Sequence, residues 1–206
     1  MPVSAEFLFD FGSPNAYLSH LVLPRIQDRT GVAFDYVPVL LGGVFKATGN
    51  VSPMVAFKGI ENKNAYHRLE TERFLKAHEI TTYKRNPDFP INTLQIMRGA
   101  VGAKRLGCFE PYVQAVFQDM WAEPKKMDDP AVIEAAFDAA DLPTARLLSA
   151  MQDAEVKGEL IANTEAAVAR GVFGSPSFFV GDAHYFGKDR LRDVEEEIIR
   201  QQAKGG

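Results

Sequence analysis

The stretch Glu6-Phe7-Leu8-Phe9-Asp10-Phe11-Gly12-Ser13-Pro14-Asn15-Ala16-Tyr17 decides how this chain is read. Phe7, Phe9 and Phe11 alternate with Leu8 and Asp10, the two-residue period of a strand over Glu6–Phe11. Gly12-Ser13-Pro14 breaks that period. From Asn15 to about Arg29 the period is helical, with Leu18, Leu21, Val22 and Ile26 on one face. Pro14 suits the first helical position, where its missing N–H is not needed. Gly31 ends the helix. Ala33–Val39 reads as a second strand, Phe34, Tyr36 and Pro38 alternating with Val37 and Val39. Strand, helix, strand predicts a βαβ unit whose right-handed crossover makes the two strands parallel.

Outward from this unit, Gly42 through Pro53 reads as a loop. A long helical block follows. Tyr66, Leu69 and Phe74 mark one helix, and Leu94, Met97 and Val101 a second. Val113, Val116, Phe117 and Met120 mark a third. Val132, Ala136 and Ala140 mark a fourth, capped by Asp128 or Asp129 with Pro130 at its start. Leu160, Thr164 and Ala167 mark a last helix ending near Gly171. Strand signals return at Ser177–Val180 and His184–Phe186 around a Gly181-Asp182 turn, a hairpin. Leu191, Val194 and Ile198 close the chain on an amphipathic helix. The order βαβ, helical block, ββα is that of an α/β, thioredoxin-like fold with an inserted all-helical subdomain. The expected division is one domain over 1–206, with 1–41 and 172–206 as core and about 54–170 as the insertion.

Composition narrows the function. A net charge of −4 with scattered basic residues gives no general attraction to nucleic acid or anionic lipid. No apolar run approaches the roughly 20 residues of a membrane helix. Met1 to Glu6 has neither the basic nor the apolar region of a signal peptide, which makes the cytoplasm the expected location. Cys108 is the one cysteine, so no internal disulfide or CxxC pair exists. His20, His67, His78 and His184 show no metal-ligand spacing, and no metal is expected.

Two places carry chemistry. Ser13 lies between a strand end and a helix start, where unpaired N–H groups and the helix dipole favour negative charge. A hydroxyl there can hydrogen-bond a thiolate and lower its pKa. Taken alone, Ser13 also reads as a plain helix cap. The second place is Gly171-Val172-Phe173-Gly174-Ser175-Pro176-Ser177-Phe178-Phe179-Val180. A proline entering a strand after a small residue is a candidate cis-proline site, and it reads equally as an ordinary strand-initiating proline. In the first case the Ser175 backbone is open to pair with an extended peptide.

Together with Phe45-Lys46-Ala47-Thr48-Gly49-Asn50, Phe89-Pro90-Ile91-Asn92-Thr93-Leu94, Trp121-Ala122-Glu123 and Phe186-Gly187-Lys188-Asp189-Arg190-Leu191, these stretches resemble a family. The chain is similar over nearly its whole length to the DsbA-like thioredoxin superfamily. Within it, the likeness is to 2-hydroxychromene-2-carboxylate isomerases and kappa-class glutathione transferases. Redox members carry Cys-Pro-x-Cys at the turn; here Ser13 and Ala16 stand at the cysteine positions, so dithiol–disulfide exchange there is impossible.

The resemblance implies glutathione as cofactor, supplying the sulfur the protein lacks. It implies that Ser13 holds that sulfur and that Ser175, before Pro176, pairs with the cysteinyl part. Asp189, with Lys188 beside it, falls where the family holds the γ-glutamyl end. Asn50 and a lysine hold the other end: Lys63, which precedes Asn64-Ala65-Tyr66, with Lys58 as its rival. The resemblance also implies that Asn163 contacts glutathione. Tyr17, Phe45 and Trp121 line the second substrate's pocket, although aromatics of this kind also serve core packing. The implied protein is a homodimeric, glutathione-dependent cis–trans isomerase of a small aromatic-derived carboxylate from aromatic-compound catabolism. Two alternatives stay open: a kappa-class-like glutathione transferase or peroxidase, and a non-enzymatic peptide binder that uses the proline-edged groove.

Overall fold

The computed structural model describes residues 3–205. Strand β1 (Ala5–Phe9) stops before the alternation in the sequence does. Asp10 and Phe11 have left the sheet: their N–H groups go to the Ser175 hydroxyl and the Met97 sulfur, not to a neighbouring strand. Helix α1 (Pro14–Thr30) returns the chain to β2 (Phe34–Pro38), which runs parallel to β1 from Ala5 opposite Phe34 to Phe9 opposite Pro38. Strand β3 (Ser177–Val180) lies antiparallel to β1 on its other side. Strand β4 (Ala183–Phe186) pairs with β3 through the two-residue turn and forms the edge, giving the order β2-β1-β3-β4.

The sheet is covered on both faces, so its central strands have no polar side. Phe7, Phe9, Phe178 and Val180 join the larger core with α1 and with α10 (Leu191–Gly205). Leu8 and Phe179 join a smaller core with Val39, Val44, Ala167 and Val172. That core is roofed by α2 (Leu41–Thr48) and α9 (Ala154–Ala169). Each fully buried side chain of this size contributes about 1.5–3 kcal/mol. Helix α9, which a boundary at 170 groups with the insertion, thus packs on the sheet.

The segment from Gly42 to Pro53 is a loop only over 49–52: α2 takes its first part, and α3 (Pro53–Ala56) begins at its end. Gly42-Gly43 weakens helix propensity there, but tertiary contact overrides it. Val44 is fully buried in the smaller core, and Gly49 closes the helix at φ 67°, a left-handed cap that favours glycine. The four patterns in the middle become α4 (Glu61–Ala77), α5 (Leu94–Leu106), α6 (Phe109–Trp121) and α7 (Pro130–Ala139). Asp129 caps α7, accepting the Ala131 N–H at 2.9 Å, with Pro130 as its first residue. A further helix, α8 (Thr144–Gln152), has no counterpart in the sequence reading: only Leu147 and Met151 of it are buried, too sparse a stripe to announce it. Before α10 the chain makes a short 3-10 turn, Lys188–Arg190, so Asp189 stands in that turn and not in the helix proper.

Candidate active site

The two chemical signals, far apart in the chain, meet at one point. Ser13 caps α1 in an extended conformation, its Oγ accepting the Ala16 N–H at 3.2 Å. The same hydroxyl donates to the Ser175 carbonyl at 2.8 Å. The Ser175 hydroxyl in turn accepts the Asp10 N–H at 3.1 Å. The Ser175–Pro176 peptide is cis, as is Phe89–Pro90. Gly174, one residue earlier, leaves room for the Phe186 ring: a Cβ there would come within 2.7 Å of it, so the ring would have to shift. Both serines are buried. The result is a dry hydroxyl at the N-terminal end of a 17-residue helix, where partial positive charge stabilises an anion.

Asp10 organises this turn, and the sequence pattern had shown it only as an alternating strand position. It is 1% exposed. Oδ1 accepts the Gly12 N–H at 2.8 Å, and Oδ2 accepts the Leu41 N–H at 2.7 Å. One carboxyl thus ties the Ser13 turn to the start of α2. Burial pushes its pKa above the ordinary carboxyl value, against the opposing pull of the Leu41, Gly12 and Thr93 hydrogen bonds. The available signal was an aspartate two residues before a glycine at a strand end, the pattern of an Asx turn.

Trp121 and Tyr17 are packed in the core. Trp121 is 1% exposed and its indole Nε1–H donates to the Phe11 carbonyl at 2.7 Å. Tyr17 is buried, with its hydroxyl 3.2 Å from Thr82 Oγ1 and its ring stacked on Tyr83. Trp121 thereby supports the turn from behind. Phe45 is half-buried on α2.

The cis-proline loop gathers three more of the expected residues. Asn50 Nδ2 donates to the Phe173 carbonyl at 2.9 Å. The Gly187 N–H donates to the Pro176 carbonyl at 3.0 Å, which sets Lys188 and Asp189 beside that loop. Lys188 is 4% exposed, a rare environment for an ammonium. It pairs with Asp189 and lies 4.7 Å over the Phe74 ring of α4, while Asp189 itself faces solvent. The remaining three are not drawn in by any such bond. The Lys63 ammonium sits 3.6 Å over the Phe57 ring, and Lys58 is exposed in the turn between α3 and α4. Asn163 donates to the Pro38 carbonyl at 3.3 Å, which fastens α9 to the end of β2. Cys108 is half-buried at the start of α6, with its thiol pushed up by burial, so it does not replace the missing turn cysteines.

A family model described as DSBA-like thioredoxin domain matches residues 5–199. A Pseudomonas putida protein named 2-hydroxychromene-2-carboxylate isomerase is 29% identical over 201 residues, covering 95% of this chain and 94% of its own. Human glutathione S-transferase kappa 1 is 26% identical over 210 residues, covering 93% and 88%. A solved structure of 2-hydroxychromene-2-carboxylate isomerase superposes with a TM-score of 0.81 at 24% identity, over 98% of each chain.

Proposed function

The chain belongs to the DSBA-like thioredoxin domain family, and from that premise we propose a glutathione-dependent isomerase of 2-hydroxychromene-2-carboxylate or a related aromatic-catabolism intermediate. One observation carries the reading. A buried serine hydroxyl stands at a helix N-terminus, against the residue before a cis proline, in a turn that holds no thiol of its own. An anion-favouring site without its own sulfur fits a thiol brought by a peptide. When bound, glutathione would supply a thiolate that adds reversibly to a conjugated carbon, so that rotation occurs about a single bond.

The protein's own residues have the following parts in this reading. Ser13 has one proton, and it is donated to the Ser175 carbonyl. A peptide N–H pairing with that carbonyl releases the Ser13 hydroxyl to turn toward the anion. Asp10 keeps the turn in register while this happens, through Gly12 and Leu41. Lys188 and Asp189 hold the γ-glutamyl end, and Asn50 with Lys63 (or Lys58 in its place) the other. Asn163 joins them only by giving up the Pro38 carbonyl. Phe45, half-buried on α2, borders the second substrate, while Tyr17 and Trp121 are packed in the core. We place the enzyme in the cytoplasm as a homodimer. No helix among the described residues is long and apolar enough to cross a membrane.

The kappa relative favours a second reading, transfer of glutathione to an acceptor. Ultraviolet difference spectra at neutral pH test for bound thiolate, and turnover of the hydroxychromene carboxylate with glutathione assayed in parallel separates the readings. Isomerised product with glutathione undiminished is the expected result. Stoichiometric loss of glutathione moves the function to transfer, and the absence of a thiolate band at saturating ligand overturns both.

A further inference from the structure

On the sheet's second face, α2, α5 and α9 border a half-open cavity of about 350 Å³. Its wall is aliphatic: Leu40, Leu94, Leu160, Ile161 and Val168. Ile161 is left 57% exposed, an apolar side chain with no cover on its outer side. Lys46, Arg98 and Lys157 also line it, against the single carboxylate of Glu165. Among the described residues, none of these four charged groups makes an ion pair or a side-chain hydrogen bond. Nearby charges behave differently. Arg105, also on α5, is met by both Glu155 and Glu159 of α9. The α9 carboxylates closest to Lys157 in sequence are therefore engaged elsewhere, and the cavity keeps a surplus of two positive charges.

We propose that this cavity binds a carboxylate carried on an apolar body. The aliphatic wall takes the body, while Arg98 and Lys157, both half-buried, take the acid group. Arg98 offers the fork that matches a carboxylate, and Lys46 adds charge from the rim. The site stands apart from the glutathione reading: Ser13, Asn50, Ser175, Lys188 and Asp189 do not line it, and Phe45 lies on the other side of α2 from Gly43 and Ala47, which do. It is not isolated from the turn, however. Thr164 lines the cavity and accepts the N–H of Leu40, whose neighbour Leu41 donates to Asp10.

Calorimetric titration of the full chain with decanoate and with 2-naphthoate tests this. Binding of at least one, tighter than about 1 mM, is expected. The tighter of the two tells whether the body is an acyl chain or a ring system. Arg98→Gln with Lys157→Gln should weaken binding by about tenfold or more, since the acid group then loses its charged partners. Ala47→Trp, at an exposed position, should fill the cavity and abolish binding without touching either cation. Saturating glutathione should leave the probe's affinity unchanged, whether or not glutathione itself binds. The proposal fails if neither acid binds, if both variants bind as the native chain does, or if glutathione displaces the probe.

Discussion

The Ser13 turn and the arm over residues 51–69 belong to the same proposed cleft and are built on opposite terms. In the turn, Asp10, Ser13 and Ser175 are buried and their polar atoms are bonded to one another or to backbone. In the arm, Val51, Met54, Val55, Ile60, Tyr66 and Leu69 are all exposed, α3 buries nothing, and α4 buries only Phe74. Geometry that must be held within fractions of an ångström sits where packing and hydrogen bonds over-determine it. The lysine proposed for the far end of the tripeptide, Lys63 or Lys58, sits on a segment with few buried contacts, the kind that opens locally at low cost.

The largest test of this contrast is Asp10→Ala. It orphans the Gly12 and Leu41 N–H groups, each costing about 1–3 kcal/mol, so urea unfolding should show a loss of about 2–6 kcal/mol. The loss should depend on pH. Burial holds the Asp10 carboxyl above its ordinary pKa, so the folded protein keeps that proton after the unfolded chain has released it. The stability from this group is full below the ordinary carboxyl pKa and is lost as pH rises through the raised one. The lead of the native chain over the variant should narrow accordingly from acid toward neutral pH; a lead that widened would reverse the direction of the shift.

Next in size is Ser13→Ala, expected to lower the isomerisation rate about 10²-fold, or ~2.7 kcal/mol of barrier. Loss of the cap alone costs about 1 kcal/mol of stability. A rate close to that of the native chain, with only that loss of stability, would leave Ser13 as a cap. Asp189→Asn comes third. If its carboxylate receives the γ-glutamyl ammonium, calorimetry should show glutathione binding weakened by roughly 1.5–3 kcal/mol. Equal affinities would leave Asp189 only a residue of the 3-10 turn before α10. The smallest effect belongs to the arm: Val55→Ser should change stability by less than about 0.5 kcal/mol. A larger destabilisation would mean that the arm is tied down after all.

How much of this was legible in the sequence follows the same division. The alternation of Phe7 to Phe11, the break at Gly12 and the return of strand signals at Ser177 marked the four strands, the parallel first pair and the hairpin, because period is a local property; that β3 lies beside β1 is a long-range pairing no local period shows. The meeting of Ser13 with Ser175 followed from the resemblance and from a proline before a strand. Asp10 was not legible as a hub, because its importance lies in the N–H of Leu41, which no local pattern links to it. Helix α2 was hidden because Gly42-Gly43 signals a loop while Val44 and α9 supply the stabilisation from a distance. The burial of Lys188 was equally out of reach: a lysine beside an aspartate reads as surface, and the ring that covers it comes from α4.

The bond from Trp121 to the Phe11 carbonyl gives the protein a built-in optical gauge. The chain has a single tryptophan, and that indole is fixed to the backbone two residues before Ser13. Its emission therefore comes from one fluorophore with one dominant polar partner, uncontaminated by a second indole elsewhere. Any event that shifts the turn, whether a ligand arriving or Asp10 changing its proton, alters the field at that ring, and a spectrum of the unlabelled protein registers it.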